Sequence, residues 1–246
     1  MSASKECGRA RATLAALGLF ARMSLGKIAL VFALGALLRF ALVAWQVSAE
    51  PILRPTAQLS GSGAFICLAL SFLLITLFLC LGGCEYGAKC GYTLRRLRIG
   101  ERAIFWWQAA YGAAVYLTLW LAEGVLAYGL AYYAAWKTGS LEAQTLLLGF
   151  YQQEVLHGLL PLEDGGIWVR NALFVEALAL VTAEFSYLQR RRSFGTTAPV
   201  LTLFVLFMFP VSLGETFRTV TCIITSLVVI AEVLYQLYIK EDPLNE

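Results

Sequence analysis

The sequence predicts an all-α membrane protein: one polytopic domain over residues 1–246, with six transmembrane helices and an N-terminal interfacial helix. Three observations carry this. Hydrophobic residues make up 59% of the 246 and charged residues only 14%, against roughly 45–50% and about 25% in soluble domains. The excess is gathered into blocks long enough to cross a bilayer. The positive charges fall unevenly among the segments between those blocks. This composition excludes a soluble enzyme, a disordered chain and a nucleic-acid module. The net charge of +3 is too small to imply a polyanionic partner, so no nucleic acid is expected.

The elements follow in chain order. Met1 to Lys27 is basic and is expected to be cytoplasmic or interfacial. Within it, residues 9–26 mix Arg9, Arg11 and Arg22 with Leu14, Leu17, Leu19, Phe20 and Met23, the pattern of a helix lying in the interface with its basic side toward headgroups. The alternative is that these residues extend the first span. No small-residue cleavage pattern follows, so the first apolar block is expected to be retained. The first span is read at Ile28–Val47 and the second at Gly63–Leu81. The third, Ile104–Trp136, would be about 50 Å long, beyond a hydrocarbon core of about 30 Å, so it must tilt or protrude. The fourth, Ala172–Leu188, is interrupted by Glu176 and Glu184. The fifth, Ala198–Leu213, is short and holds Pro199 and Pro210; the sixth is Thr219–Ile239. Trp45, Trp106, Trp107, Trp136, Trp168, Tyr235 and Tyr238 fall near span ends, where amphipathic rings anchor.

Charge orients the chain. With the N-terminus inside, fourteen of the nineteen Lys and Arg fall in inner segments and four in outer ones (Arg54, Lys137, Arg170, Arg218), with Arg39 inside the first span. This predicts the cell membrane with both termini cytoplasmic. It also supports the two weaker spans, without which Arg190–Arg192 would be outside. The outer loop 137–170 contains apolar residues at helical spacing over 141–160, which predicts a surface amphipathic helix.

Catalytic chemistry finds no support. His157 is the single histidine, so no HExxH or two-histidine metal site exists. Asp164 and Asp242 both lie outside the spans, which excludes an intramembrane aspartyl dyad. GxSxG is absent. The six cysteines form no CxxC and read as free thiols. The chain is therefore not expected to be an enzyme. There is no GxxxxGK[ST] either, so it cannot hold ATP through a P-loop; an ATP-driven process would need a second chain.

Four acids fall inside spans: Glu123, Glu176, Glu184 and Glu232. A charge at the bilayer centre costs about 2.5–3.5 kcal/mol on insertion scales, so such groups face protein or a cavity. Glu123 and Glu176 either line a path for a cationic or amphipathic substrate or pair with Arg39, Arg170 or backbone donors. Glu184 and Glu232 are expected to be balanced by Arg190–Arg192 and by Lys240. Small residues on the third span, such as Ala109, Gly112, Ala131 and Ala135, permit close helix contact, inside the chain or between copies.

The inner loop between spans two and three is the most informative stretch. In YTLRRLRIGERAIFWWQ (92–108), Leu94, Leu97 and Ile99 alternate with Arg95, Arg96 and Arg98. Gly100 breaks the segment, and Glu101 places a negative charge at the N-terminus of the third span. By its residues alone this is either a basic loop that fixes topology and binds acidic lipid or a docking element for a cytoplasmic partner. The stretch resembles the loop between spans two and three of type-2 ABC exporter permeases. There it forms the coupling helix that seats on the ATPase. Six spans, an interfacial N-terminal helix and the absence of a Walker motif agree with that resemblance. One position departs, since Arg98 stands where the family often has proline. The segment 210–218 is also short where the family tends to have an external helix pair.

The resemblance implies a permease subunit of an ABC transporter that exports an amphipathic or peptide-like substrate. The partners would be an ABC ATPase carrying ATP and Mg, a second permease copy or related chain, and the bilayer. It places coupling on Tyr92, Leu94, Arg95, Arg96, Leu97, Arg98 and Glu101, within a cytoplasmic loop 84–103. The competing expectations are a non-transporting immunity or sensor protein, and the small-molecule-binding subunit of a vitamin importer.

Overall fold

The structure, a computed structural model, describes residues 2–49, 62–82, 100–139, 165–191, 193, 195–208 and 215–238. These form six helices and, among the described residues, no strand. They are α1 (Ser2–Ala49), α2 (Ser62–Gly82), α3 (Glu101–Thr138), α4 (Gly165–Arg190), α5 (Thr197–Met208) and α6 (Glu215–Tyr238). All but α5 are long and apolar enough to cross a membrane. This is the architecture of a polytopic membrane protein.

One expectation needs correction. Residues 9–26 are not a separate interfacial helix; they are the first turns of α1, a continuous helix of 48 residues, about 72 Å long. No proline occurs before Pro51, and the glycines at 18 and 26 are not enough to break so long a run of helix formers. Of the 198–213 span, residues 198–208 lie in α5 and 209–213 lie outside the described residues. The helix expected over 141–160 lies outside the described residues.

Local chemistry sets the ends of α3 and the start of α5. α3 begins after Gly100, which is extended at φ −61, ψ 142. It ends at Gly139, whose φ of 71 is the left-handed cap geometry that glycine adopts at no steric cost. Pro199 sits in the first turn of α5, where its missing N–H breaks no helical bond.

Side-chain pairs fix how the helices run. α1 and α3 are parallel: Ser24 bonds Tyr111, Arg39 meets Glu123, and Val43 and Val47 pack with Leu130 and Ala134. α2 runs back along α1, with Ser71 beside Gly35 and Gly82 near Ser24. α4 is antiparallel to α3, from Trp168 against Trp120 to Arg190 against Glu101. We call the end carrying Glu101 and Arg190 the lower end. α6 also finishes there, with Arg102 over the Tyr238 ring at 5.5 Å.

α4 is the hub. It packs against α2, α3, α5 and α6, and it is more deeply buried than any other long helix. Lipid is as apolar as leucine, so close packing and interhelical hydrogen bonds hold such helices together. Both are present. Gly112 of α3 brings its backbone against Thr182 and Ala179 of α4. Ala109, Ala131, Ala134 and Ala135 are buried within the chain, so these small residues serve intramolecular packing. Ser186 of α4, fully buried, donates to the Cys80 carbonyl of α2 at 2.7 Å and accepts from the Gln108 amide of α3 at 2.6 Å. The outward faces stay apolar, as lipid contact requires: Leu30, Leu34 and Leu37 on α1, Ile224 and Val228 on α6.

Candidate functional site

Two regions bear on function: the lower-end start of α3 and a cleft above it. Tyr92, Leu94, Arg95, Arg96, Leu97 and Arg98, expected to couple to an ATPase, lie outside the described residues. Glu101 and the start of α3 are described. Ile104 closes the first helical bond onto Gly100 at 3.1 Å. Glu101 accepts from Arg190 Nε at 3.1 Å, and the Arg190 side chain is almost wholly buried. One residue on, Arg102 covers Tyr238 of α6. Two consecutive residues therefore tie the start of α3 to the ends of α4 and α6. Sequence reasoning placed Glu101 at a helix N-terminus and did not find its partner, since Arg190 was assigned to balance Glu184.

At Glu184 the expected balance by Arg190–Arg192 is described only in part, since Arg192 lies outside the described residues. Glu184 is 3% exposed. Its carboxylate is hydrogen-bonded to the Thr197 side chain and lies near the like charge of Glu232. Glu232 is exposed and accepts from Gln236 at 3.4 Å. Lys240 lies outside the described residues.

Glu123 resolves clearly. Both its carboxylate oxygens accept from the Arg39 guanidinium, one of them at 2.7 Å, in a bidentate pair. Arg39 also donates through Nε to the Gly35 carbonyl at 3.3 Å. The two side chains are 7% and 8% exposed. This geometry suits a planar guanidinium and is the arrangement in which an intramembrane charge is tolerated. Glu176, in contrast, is exposed on α4. Of the two acids expected along one cationic path, Glu123 is buried against Arg39 and Glu176 is exposed. The signal for the Arg39–Glu123 pair was present in the sequence: two opposite charges, each well inside an apolar block, in spans of the same direction.

Beside Glu123 lies a cleft of about 130 Å3 between α2, α3, α4 and α5. Five aromatic rings, Phe65, Phe72, Tyr116, Trp120 and Phe174, share its walls with aliphatic side chains such as Leu119, Leu178 and Val205. The Tyr116 hydroxyl donates to Thr76 at 3.0 Å, and Ser71 donates to the Cys67 carbonyl at 2.9 Å. Asn171 Oδ1 accepts from Arg170 at 3.1 Å. Among the described residues no group of three or more His, Cys, Asp or Glu is placed to hold a metal ion. Sequence reasoning missed this cleft, because its aromatics are spread over three helices with no local spacing to mark them.

Comparison of the chain with protein-family models, with curated proteins and with solved structures returns no match.

Proposed function

We propose that this chain is the membrane subunit of an ATP-driven ABC transporter of the export type, with its ATPase on a separate chain. The observation that carries the reading is the double tie at the start of α3, Glu101 to Arg190 and Arg102 to Tyr238. A loop that ends in a loose hinge cannot transmit a push. The 84–103 loop ends instead on a helix pinned to two others, one of which is the hub. An ATPase gripping Leu94, Arg95, Arg96, Leu97 and Arg98 would move α3, α4 and α6 as one body and shift the bundle between two access states. The alternation of arginine and leucine in 92–99, and its likeness to a coupling loop, point to the same role.

In this reading the lower end is cytoplasmic, the chain crosses six times with α5 in the fifth crossing, and two such chains pair. ATP and Mg bind the partner ATPase, for which this chain has no P-loop. The test is co-purification from the native membrane. The chain is expected to bring down a protein with ATP-hydrolysing activity. The variant Arg95→Ala/Arg96→Ala/Leu97→Ala is expected to lose it while remaining monodisperse. An ATPase that stays bound to the triple variant would overturn the reading.

A further inference from the structure

We propose that the cleft between α2, α3, α4 and α5 binds an uncharged compound by a single aromatic ring. Taking that compound as the exported substrate rests on the transport reading above; the binding itself does not.

Size gives the first argument. The cleft holds about 130 Å3. A dry cavity of about 150 Å3 lined by leucine, isoleucine and phenylalanine admits benzene. Whole ligand pockets run from about 300 Å3 upward. The cleft therefore grips one ring of a larger molecule, whose remainder lies outside it, and is far too small for the full chain of a membrane lipid.

Wall chemistry gives the second. Phe65, Phe72, Tyr116, Trp120 and Phe174 line the cleft, and Phe72 and Tyr116 are already tilted at 47° to each other. A ligand ring can join such tilted or edge-on aromatic pairs, a gain beyond buried area that an aliphatic chain cannot make.

Charge gives the third. The one acid on the wall, Glu123, has both oxygens taken by Arg39. The Ser71 and Tyr116 hydroxyl protons are already donated within the protein. A cation entering here would have to displace a buried bidentate arginine, and an anion would face that carboxylate. An uncharged ring meets neither penalty.

The test uses the full chain in phosphatidylcholine nanodiscs and three photoreactive probes, with labelled residues mapped by mass spectrometry. One is uncharged phenyl-trifluoromethyl-diazirine, the second its trimethylammonium derivative, and the third a phosphatidylcholine carrying a diazirine in mid-chain. The uncharged aryl probe is expected to label Phe65–Phe72 and Phe174–Leu178 about fivefold above the lipid-facing Ile224 and Val228, a preference of roughly 1 kcal/mol. Excess benzene should remove that preference, and Leu178→Trp, which fills the cleft, should abolish it without changing labelling of α6. The lipid probe should favour α6. The proposal is overturned if the aryl probe follows the lipid probe's pattern, if the ammonium probe labels the cleft equally, or if benzene does not compete. Should Leu178→Trp fail to fold, the benzene competition on the native chain decides. Cleft labelling without any bound ATPase would leave this site standing and remove only the transport reading.

Discussion

The buried Arg39–Glu123 pair gives the sharpest stability prediction. It joins α1 to α3 with both side chains under one-tenth exposed. Removing one partner of such a pair leaves an uncompensated charge and costs about 3–5 kcal/mol. For a chain of this length each kcal/mol moves the unfolding midpoint by roughly 2–4 °C, so a single substitution should lower it by about 6–20 °C. The two singles should differ. A carboxylate can take up a proton to shed its charge, whereas a guanidinium cannot lose one. Glu123→Leu, which strands Arg39, is therefore expected to cost more than Arg39→Met. Replacing both removes the desolvation penalty together with the attraction, so Arg39→Met/Glu123→Leu should return to within about 1 kcal/mol of the parent. Heating detergent-solubilised protein and following the monodisperse peak by size exclusion measures all four. If Arg39→Met melts within about 2 °C of the parent, or the double variant loses the sum of the singles, the pair is not what joins these helices.

Two further predictions follow from interhelical contacts. A methyl at Gly35 would collide with the Ser71 hydroxyl and force it off the Cys67 carbonyl; Gly35→Ala should cost about 1–3 kcal/mol, and adding Ser71→Ala should recover most of it, read from the same melting curves. Ser186→Ala leaves the Gln108 amide and the Cys80 carbonyl without their buried partner, so it should cost about 1–3 kcal/mol, and Gln108→Leu in the same chain should offset part of that loss.

Much of the fold was legible because hydropathy in a membrane protein is a strong local signal. The apolar block at 63–81 became α2 at Ser62–Gly82, and the over-long block at 104–136 became α3 at Glu101–Thr138. The weak fourth block grew into the longer α4, because Gly165–Asn171 adds two turns whose Arg170 and Asn171 are buried rather than looped out. The interfacial helix was misread for a physical reason. Basic and apolar residues alternating over 9–26 fit a surface helix and the entrance to a span equally well, and only the absence of a break separates the two. Pairings were the least legible part. Arg39 could be weighed as a partner for Glu123 because both are lone charges deep in apolar blocks, but Glu101 and Arg190, more than eighty residues apart, lie at span ends among several other charges, and nothing local marks which of them meet. The aromatic cleft is hidden for the same reason, as each helix contributes only a few of its rings.

The claim on which the functional account turns is that the arginine–leucine segment before α3 is held by an ATPase. A photo-crosslinking amino acid placed at Leu97, with irradiation of intact native membranes, tests it most directly. The account predicts a crosslinked product containing a polypeptide with a nucleotide-binding P-loop, its yield changed when ATP and vanadate trap that partner closed. Crosslinks at Leu97 that reach only phospholipid, with or without nucleotide, would contradict it.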